Sequence, residues 1–183
     1  MMLTNGLRAL ALATALASGT AYAADPMVGG APMSPSKTIV ENASQAKNLT
    51  TLVAAVKAAG LVDTLSGPGP FTVFAPTNAA FEKLPAGTVD KLVQPDMKAT
   101  LTKVLTYHVV PGKLTAAELM KQVKSMGGSE NLKTVEGGTL TVKMDGEKLV
   151  LIDEKGGGAA VEIADVMQSN GVVHVIDSVL MPK

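Results

Sequence analysis

Only two imidazoles are available to this 183-residue chain, His108 and His174, and it has no Cys. A zinc site built on them would need carboxylates such as Asp165 or Asp177 to complete a tetrahedral set. His174 and Asp177 stand three apart in a segment that reads as a strand, where side chains alternate, so they face opposite sides and make no local ligand pair. No metal and no other cofactor is expected. Serine chemistry is the next option to test. Ser34-Pro35-Ser36-Lys37 and Ser44-Gln45-Ala46-Lys47 both fit S-x-x-K, the arrangement of penicillin-interacting serine enzymes, but neither S-D-N nor K-T-G follows and there is no G-x-S-x-G. Asp153-Glu154 beside Lys155 reads as a solvated turn, and no aromatic sugar platforms accompany it as a glycosidase pair would require. Asn42-Ala43-Ser44 and Asn48-Leu49-Thr50 fit the N-x-S/T acceptor pattern, relevant only to a host that glycosylates it. The chain therefore reads as a non-enzyme.

Tyr107 and His108 remain as candidate binding residues. His108 lies on the apolar stripe of a predicted helix, where one buried hydrogen bond would fix the junction with the next strand. Tyr107, rotated about 100° from it on that helix, is expected to point elsewhere and to be the better contact residue.

The elements that must position these groups follow from periodicity. Leu49, Leu52, Val53 and Val56 recur at helical spacing between Asn48 as N-cap and Gly60 just past the end. Met97, Leu101, Val104, Leu105 and His108 repeat that spacing behind Pro95-Asp96. Thr115 and Glu118 form a capping box that opens a short helix through about Lys121. Phe71 to Ala75 reads as a buried strand stopped by Pro76. After residue 130, glycine-rich punctuation at 137–138, 145–146, 156–158 and 170–171 marks hairpin turns needing positive φ. It separates five strands, near 131–136, 139–144, 147–152, 159–167 and 172–179. Leu140, Val142 and Met144 alternate with polar residues, whereas Leu149 to Ile152 is apolar on both faces. With a short strand at 108–110 the count is about seven, and the helices gather in the first half: an α+β fold.

Residues 1–23 carry one cation, Arg8, then the apolar run from Ala9 to Ala17 and an Ala21-Tyr22-Ala23 cleavage pattern. The reading is an export signal at 1–23, a flexible Pro/Gly leader at 24–36 and one domain at 37–183, secreted or periplasmic and without a membrane span after cleavage. After cleavage the chain would hold 15 Lys, no Arg and 16 acidic residues. Without an Arg fork and with few aromatics, nucleic-acid binding is not expected.

Phe71-Thr72-Val73-Phe74-Ala75-Pro76-Thr77-Asn78-Ala79-Ala80-Phe81 resembles the first signature block of fasciclin (FAS1) domains. Asn170-Gly171-Val172-Val173-His174-Val175-Ile176-Asp177-Ser178-Val179-Leu180-Met181-Pro182 resembles the second, with Tyr107-His108 between them. The resemblance covers about 37–182 and implies a wedge-shaped β-sandwich clad with helices, extracellular adhesion and no catalysis. It also implies that Tyr107 and His108 form the region linked to receptor binding in animal members. On physical grounds Phe71, Phe74 and Phe81 are core anchors. Asn78, following Pro76 and Thr77, would cap the next helix or hold its own turn, and Asn170-Gly171 is a turn signal. The expected partner of a monomeric module is a cell-surface or extracellular-matrix protein or polysaccharide. The 46% apolar composition and ten Met suggest the alternative, a carrier of a small apolar ligand or lipid.

Overall fold

A computed structural model describes residues 25–183; the export signal read at 1–23 lies outside them. The described chain opens with a hairpin of two short strands, β1 (Met27–Val28) and β2 (Ala31–Pro32), turned through Gly29 and Gly30, both at positive φ. This corrects the flexible leader expected at 24–36. Val28 and Met33 are only 1% and 2% exposed and belong to the main core. The glycines and prolines here code for a tight turn, and the apolar residues beside it find a surface to cover.

Three helices follow: α1 (Ile39–Ala43), α2 (Thr50–Ala59) and α3 (Val62–Ser66). α2 ends as expected at Gly60, which adopts the left-handed conformation at φ 72°. Its start differs from expectation, because Asn48 provides no cap. The Thr51 N–H donates instead to Asn78 Oδ1 at 3.0 Å, while Asn78 Nδ2 donates to Lys47 O at 3.1 Å and Thr50 Oγ1 at 2.9 Å.

Beyond β3 (Phe71–Pro76) come α4 (Asn78–Glu82), α5 (Thr88–Leu92), α6 (Lys98–Tyr107), β4 (Val109–Pro111) and α7 (Ala116–Ser125). The N-cap of α4 is Thr77, whose hydroxyl accepts from Ala80 N at 3.2 Å. Asn78 therefore caps neither its own helix nor its own turn; it locks a helix 27 residues earlier in the chain. Asn78→Ala is expected to cost about 2 kcal/mol, since three bonds are lost and orphan groups remain at the α2 start. A urea midpoint reads the loss, and Asn78→Asp, which keeps the acceptor, should cost less. At α7 the Thr115/Glu118 capping box forms with both bonds present.

The carboxyl half is the expected meander: β5 (Ser129–Lys133), β6 (Thr139–Asp145), β7 (Lys148–Ile152), β8 (Gly158–Gln168) and β9 (Gly171–Ile176), each antiparallel to the next. β3 pairs in parallel with β9, and β4 lies outside β3, giving the order β4-β3-β9-β8-β7-β6-β5. The layers of the expected sandwich are thus parts of one mixed seven-stranded sheet. It curls until its edges approach, with Val135 N donating to Val109 O at 2.8 Å.

The curl creates two cores. One lies between the sheet and α1–α6; the other lies under α7. β3 and β9 are covered on both faces, with Val73, Ala75, Val173 and Val175 toward the first core and Phe74 and Ile176 toward the second. Phe81 is buried as expected, and Phe71 packs half-buried against the first core. On β7 only alternate residues are buried, Leu149 and Leu151. Val150 and Ile152, on the opposite face, are only half-buried, which corrects the two-faced burial expected there.

Candidate functional site

α6 delivers Tyr107 as its last residue and His108 as its C-cap. The His108 ring bonds at both nitrogens: Nδ1 meets Val104 O, a free carbonyl of the last helical turn, at 2.8 Å, and Nε2 meets Leu180 N at 3.0 Å. A backbone N–H can only donate, so Nε2 must accept, and the ring is the neutral Nδ1–H tautomer. Its environment agrees. Burial pushes the imidazole from 6.5 down to about 4, against the opposing Val104 carbonyl and the Asp153 charge. The sequence anticipated one bond at the helix-to-strand junction; the second, to the C-terminal segment, it did not.

This depression has a signed consequence. The neutral ring is favoured in the folded chain, so its stabilisation is complete above about pH 6.5 and declines as pH falls toward about 4, where the folded ring itself takes a proton. The total is roughly 3 kcal/mol. Urea midpoints measured across that window should fall in the native chain and fall less in His108→Gln.

Tyr107 corrects the expectation of an outward contact residue: it is 0% exposed. Its hydroxyl donates to Thr139 O at 2.7 Å and accepts from Glu154 N at 3.2 Å. Its ring packs so near Gly138 that a Cβ there would stand 2.9 Å from Tyr107 Cε2. Burial pushes the phenol up to about 12, with the Glu154 N–H bond opposing. The two rings do diverge, as neighbours at a helix end must, meeting edge-on at 6.5 Å. Tyr107 belongs to the second core and His108 lines the first. Solvent reaches neither, because the strands on one side and α2 on the other cover the last turn of α6. Tyr107→Phe is expected to cost about 1–2 kcal/mol in thermal melts, by orphaning Thr139 O and Glu154 N.

His174 forms a second junction. Its Nδ1 accepts from Asp165 N at 3.2 Å, its Nε2 bonds Leu114 O at 2.8 Å, and its ring stacks on Phe74 at 5.5 Å. Burial lowers its pKa as well. Asp165 sits at φ 57° in an irregular stretch of β8 and accepts from Ala116 N at 2.7 Å, where α7 starts. Asp177 is elsewhere: it accepts from Ala160 N at 2.9 Å and pairs with Lys83 at 3.4 Å. Asn170 is the densest junction. Its Oδ1 accepts from Ile39 N at 3.1 Å, and its Nδ2 donates to Leu65 O at 2.7 Å and Gly67 O at 3.0 Å. Gly171 is not at positive φ, unlike Gly137, Gly146 and Gly156. The expected turn is present as the two-residue loop Ser169-Asn170 between β8 and β9, but Gly171 is required for close approach, because a Cβ there would overlap Phe71 O and lie 2.9 Å from Phe71 N.

Asp153, read as part of a solvated turn, is only 7% exposed. It accepts from Lys155 N at 2.9 Å, Gly157 N at 2.7 Å and Met181 N at 2.9 Å. Thr72 likewise joins Gly112 O at 2.7 Å to Leu114 N at 2.9 Å. Neither carried a sequence signal beyond its place in a strand or at a turn. The S-x-x-K hydroxyls do not meet their lysines: Ser34 Oγ bonds Ser36 Oγ at 2.8 Å and Ser44 Oγ donates to Glu41 O at 2.7 Å. Asn42 is fully buried, its amide bonded to Ser34 O and Gln168 Oε1, so the folded chain does not offer it for glycosylation. Among the described residues no group of three or more His, Asp or Glu could hold a metal ion.

Two apolar cavities between helices and sheet measure about 30 and 20 Å³ and share Ile39, Ala43, Leu52 and Val73. Each has room for a water or two, not for an acyl chain. The wider clefts are open and on the surface. One, of about 300 Å³, runs along α4 and α5 beside Phe81, Leu84 and Val89; another, of about 340 Å³, lies between residues 68–70 and 168–171.

Fold and junctions together describe an α+β module whose distinctive polar side chains bind its own backbone. The fasciclin domain family model matches residues 47–182, and the chain belongs to that family. It is 52% identical over 145 residues to Protein sll1483 of Synechocystis, covering 79% of this chain and 73% of that one. To the Cell surface glycolipoprotein MPB83 of Mycobacterium bovis it is 39% identical over 145 residues, covering 76% and 58%. A FAS1 domain pair from the insect cell adhesion molecule Fasciclin I superposes with a TM-score of 0.70 at 22% identity, covering 79% of this chain and 51% of that one.

Proposed function

We propose that this protein is an exported interaction module, secreted or periplasmic, that promotes attachment by holding a surface protein or polysaccharide against its outer face. One observation carries the reading. Tyr107, His108, His174, Asn78 and Asn170 are each bonded to backbone of the same chain, so recognition falls to the exposed surface. The amino-terminal export pattern supports it, as do a cell-surface relative and a structural neighbour from an adhesion molecule. Among the described residues, the exposed large apolar side chains, Met27, Met97, Met126 and Val135, come from four different segments of the chain, which suits a monomer.

The test is crosslinking capture from the host envelope with the chain from residue 25, and with variants in each cleft: Glu82→Arg with Ala86→Arg, and Lys113→Glu with Ser169→Arg. Loss of the partner with one cleft variant, but not with Tyr107→Phe, is the expected result. Host cells that attach equally well without the protein would overturn it.

A further inference from the structure

The last seven residues, 177–183, follow β9 without regular structure, yet Leu180 is fully buried in the second core and Pro182 is buried as well. Among the described residues, nothing beyond Asp177 N, which donates to Ala160 O, joins this segment to the fold by a backbone-to-backbone bond. Side chains hold it instead. Leu180 N donates to His108 Nε2 at 3.0 Å, Met181 N to Asp153 Oδ2 at 2.9 Å and Lys183 N to Glu154 Oε2 at 3.4 Å. The His108 ring accepts at Nε2 only in its neutral form, and the bonds to the two carboxylates are strengthened by charge. The sheet beside them is held by backbone bonds that do not titrate.

We propose that segment 177–183 is an acid-releasable strap: in neutral medium its amides are clasped by His108, Asp153 and Glu154, and in acid the clasp fails before the sheet does. A proton on His108 Nε2 replaces its lone pair with an N–H aimed at the Leu180 N–H, turning attraction into repulsion. Protonating Glu154 removes the charge that strengthens its bond to Lys183. Leu180 then leaves the second core, to which it belongs with Tyr107 and Val110, uncovering an apolar patch.

The charges around the clasp set how it responds. The first core presents only apolar side chains to the His108 ring, from α1, α2 and β3, which favours the neutral form. Asp153 is the charge that opposes this, and Tyr107 meets the ring edge-on. At the far end Lys103 reaches Lys183 O at 2.5 Å and pairs with Glu136 at 3.7 Å. Bonds from Thr139 N and Lys183 N hold the Glu154 carboxyl below its ordinary value. The strap begins at the Asp177–Lys83 pair, whose bond to Ala160 N anchors it to the sheet as a hinge.

The experiment is amide hydrogen exchange followed by NMR on the chain from residue 25, between about pH 7 and about pH 4, expressed as protection relative to the unstructured rate. Leu180 and Met181 should lose at least about tenfold of their protection across that range while Val172 to Val175 keep theirs. In Asp153→Asn, which turns an amide N–H toward Met181 N, the Met181 protection should already be low at neutral pH with the sheet intact. In His108→Gln, whose carboxamide oxygen can accept but does not titrate here, Leu180 should lose less protection in acid. If His108→Gln does not fold, Asp153→Asn decides. Leu180 and Met181 that stay protected to about pH 4, or that lose protection only together with Val172 to Val175, would overturn the proposal.

Discussion

Removing residues 25–36 is expected to lower the stability of the domain by about 4–6 kcal/mol, a large share of the 5–15 kcal/mol that holds a typical domain folded. Two side chains dominate the effect. Val28 and Met33 are nearly inaccessible and cover Leu49, Leu52, Val173 and Val175, around a remaining gap of only about 20 Å³. Each buried side chain of this size is worth about 1.5–3 kcal/mol, and their removal also exposes the apolar surface beneath. Backbone and side-chain bonds go with them: Lys47 N to Gly29 O at 3.3 Å, and Asn42 Nδ2 to Ser34 O at 2.7 Å, which leaves a buried amide short of a partner. The check is a thermal melt of chains starting at 25 and at 37. A fall of about 10 °C or more is the expected result, and coincident melts would mean that the hairpin is the flexible leader its composition suggests.

Gly171→Ala should be comparably damaging, costing about 4 kcal/mol or more, in the range where core disruption is diagnostic. The added methyl would overlap Phe71 O and press on Phe71 N and C, both 2.9 Å away. All three are backbone atoms of β3, so no rotamer can relieve the contact. The alternative is for β9 to draw away from β3, breaking the parallel pairing that runs from Phe71–Gly171 to Pro76–Ile176 at the centre of the molecule. Gly146→Ala provides the control. Gly146 has φ 62° and open space around its Cβ position, so only the conformational penalty of about 1 kcal/mol applies. Urea unfolding of the two variants separates close approach from turn geometry; equal losses would return Asn170-Gly171 to the status of a simple turn.

Comparable positions show why some features were legible in advance. The five meander strands were placed within about two residues at nearly every boundary, because Gly137, Gly146 and Gly156 supply positive φ at hairpins and a hairpin is a local event. The same is true of α2 and α6, whose apolar residues recur at helical spacing within one segment; α7 was marked only by its capping box and runs to Ser125, past the expected end near Lys121. The short helices α1, α3 and α5 were missed and α4 entered only as one alternative for Asn78, since five residues show hardly more than one turn of periodicity. Tyr107 was misjudged for a related reason. Its divergence from His108 follows from helix geometry, but whether the far side is solvent or a second core depends on where β6 and β7 end.

The sequence by itself determined the alternation of helical and strand segments, the α+β class and the family, because each is written in neighbouring residues or in a contiguous block. Only the tertiary structure decided what the signature residues do. Asn78 caps α2, Asn170 joins 39 to 65 and 67, Gly171 admits Phe71, and Asp153 holds Met181. Each of these bonds or contacts joins groups from 27 to more than 100 residues apart. A hydrogen-bonding side chain carries no local mark of its distant partner; the partner is chosen when hydrophobic burial curls the sheet and brings its backbone within reach.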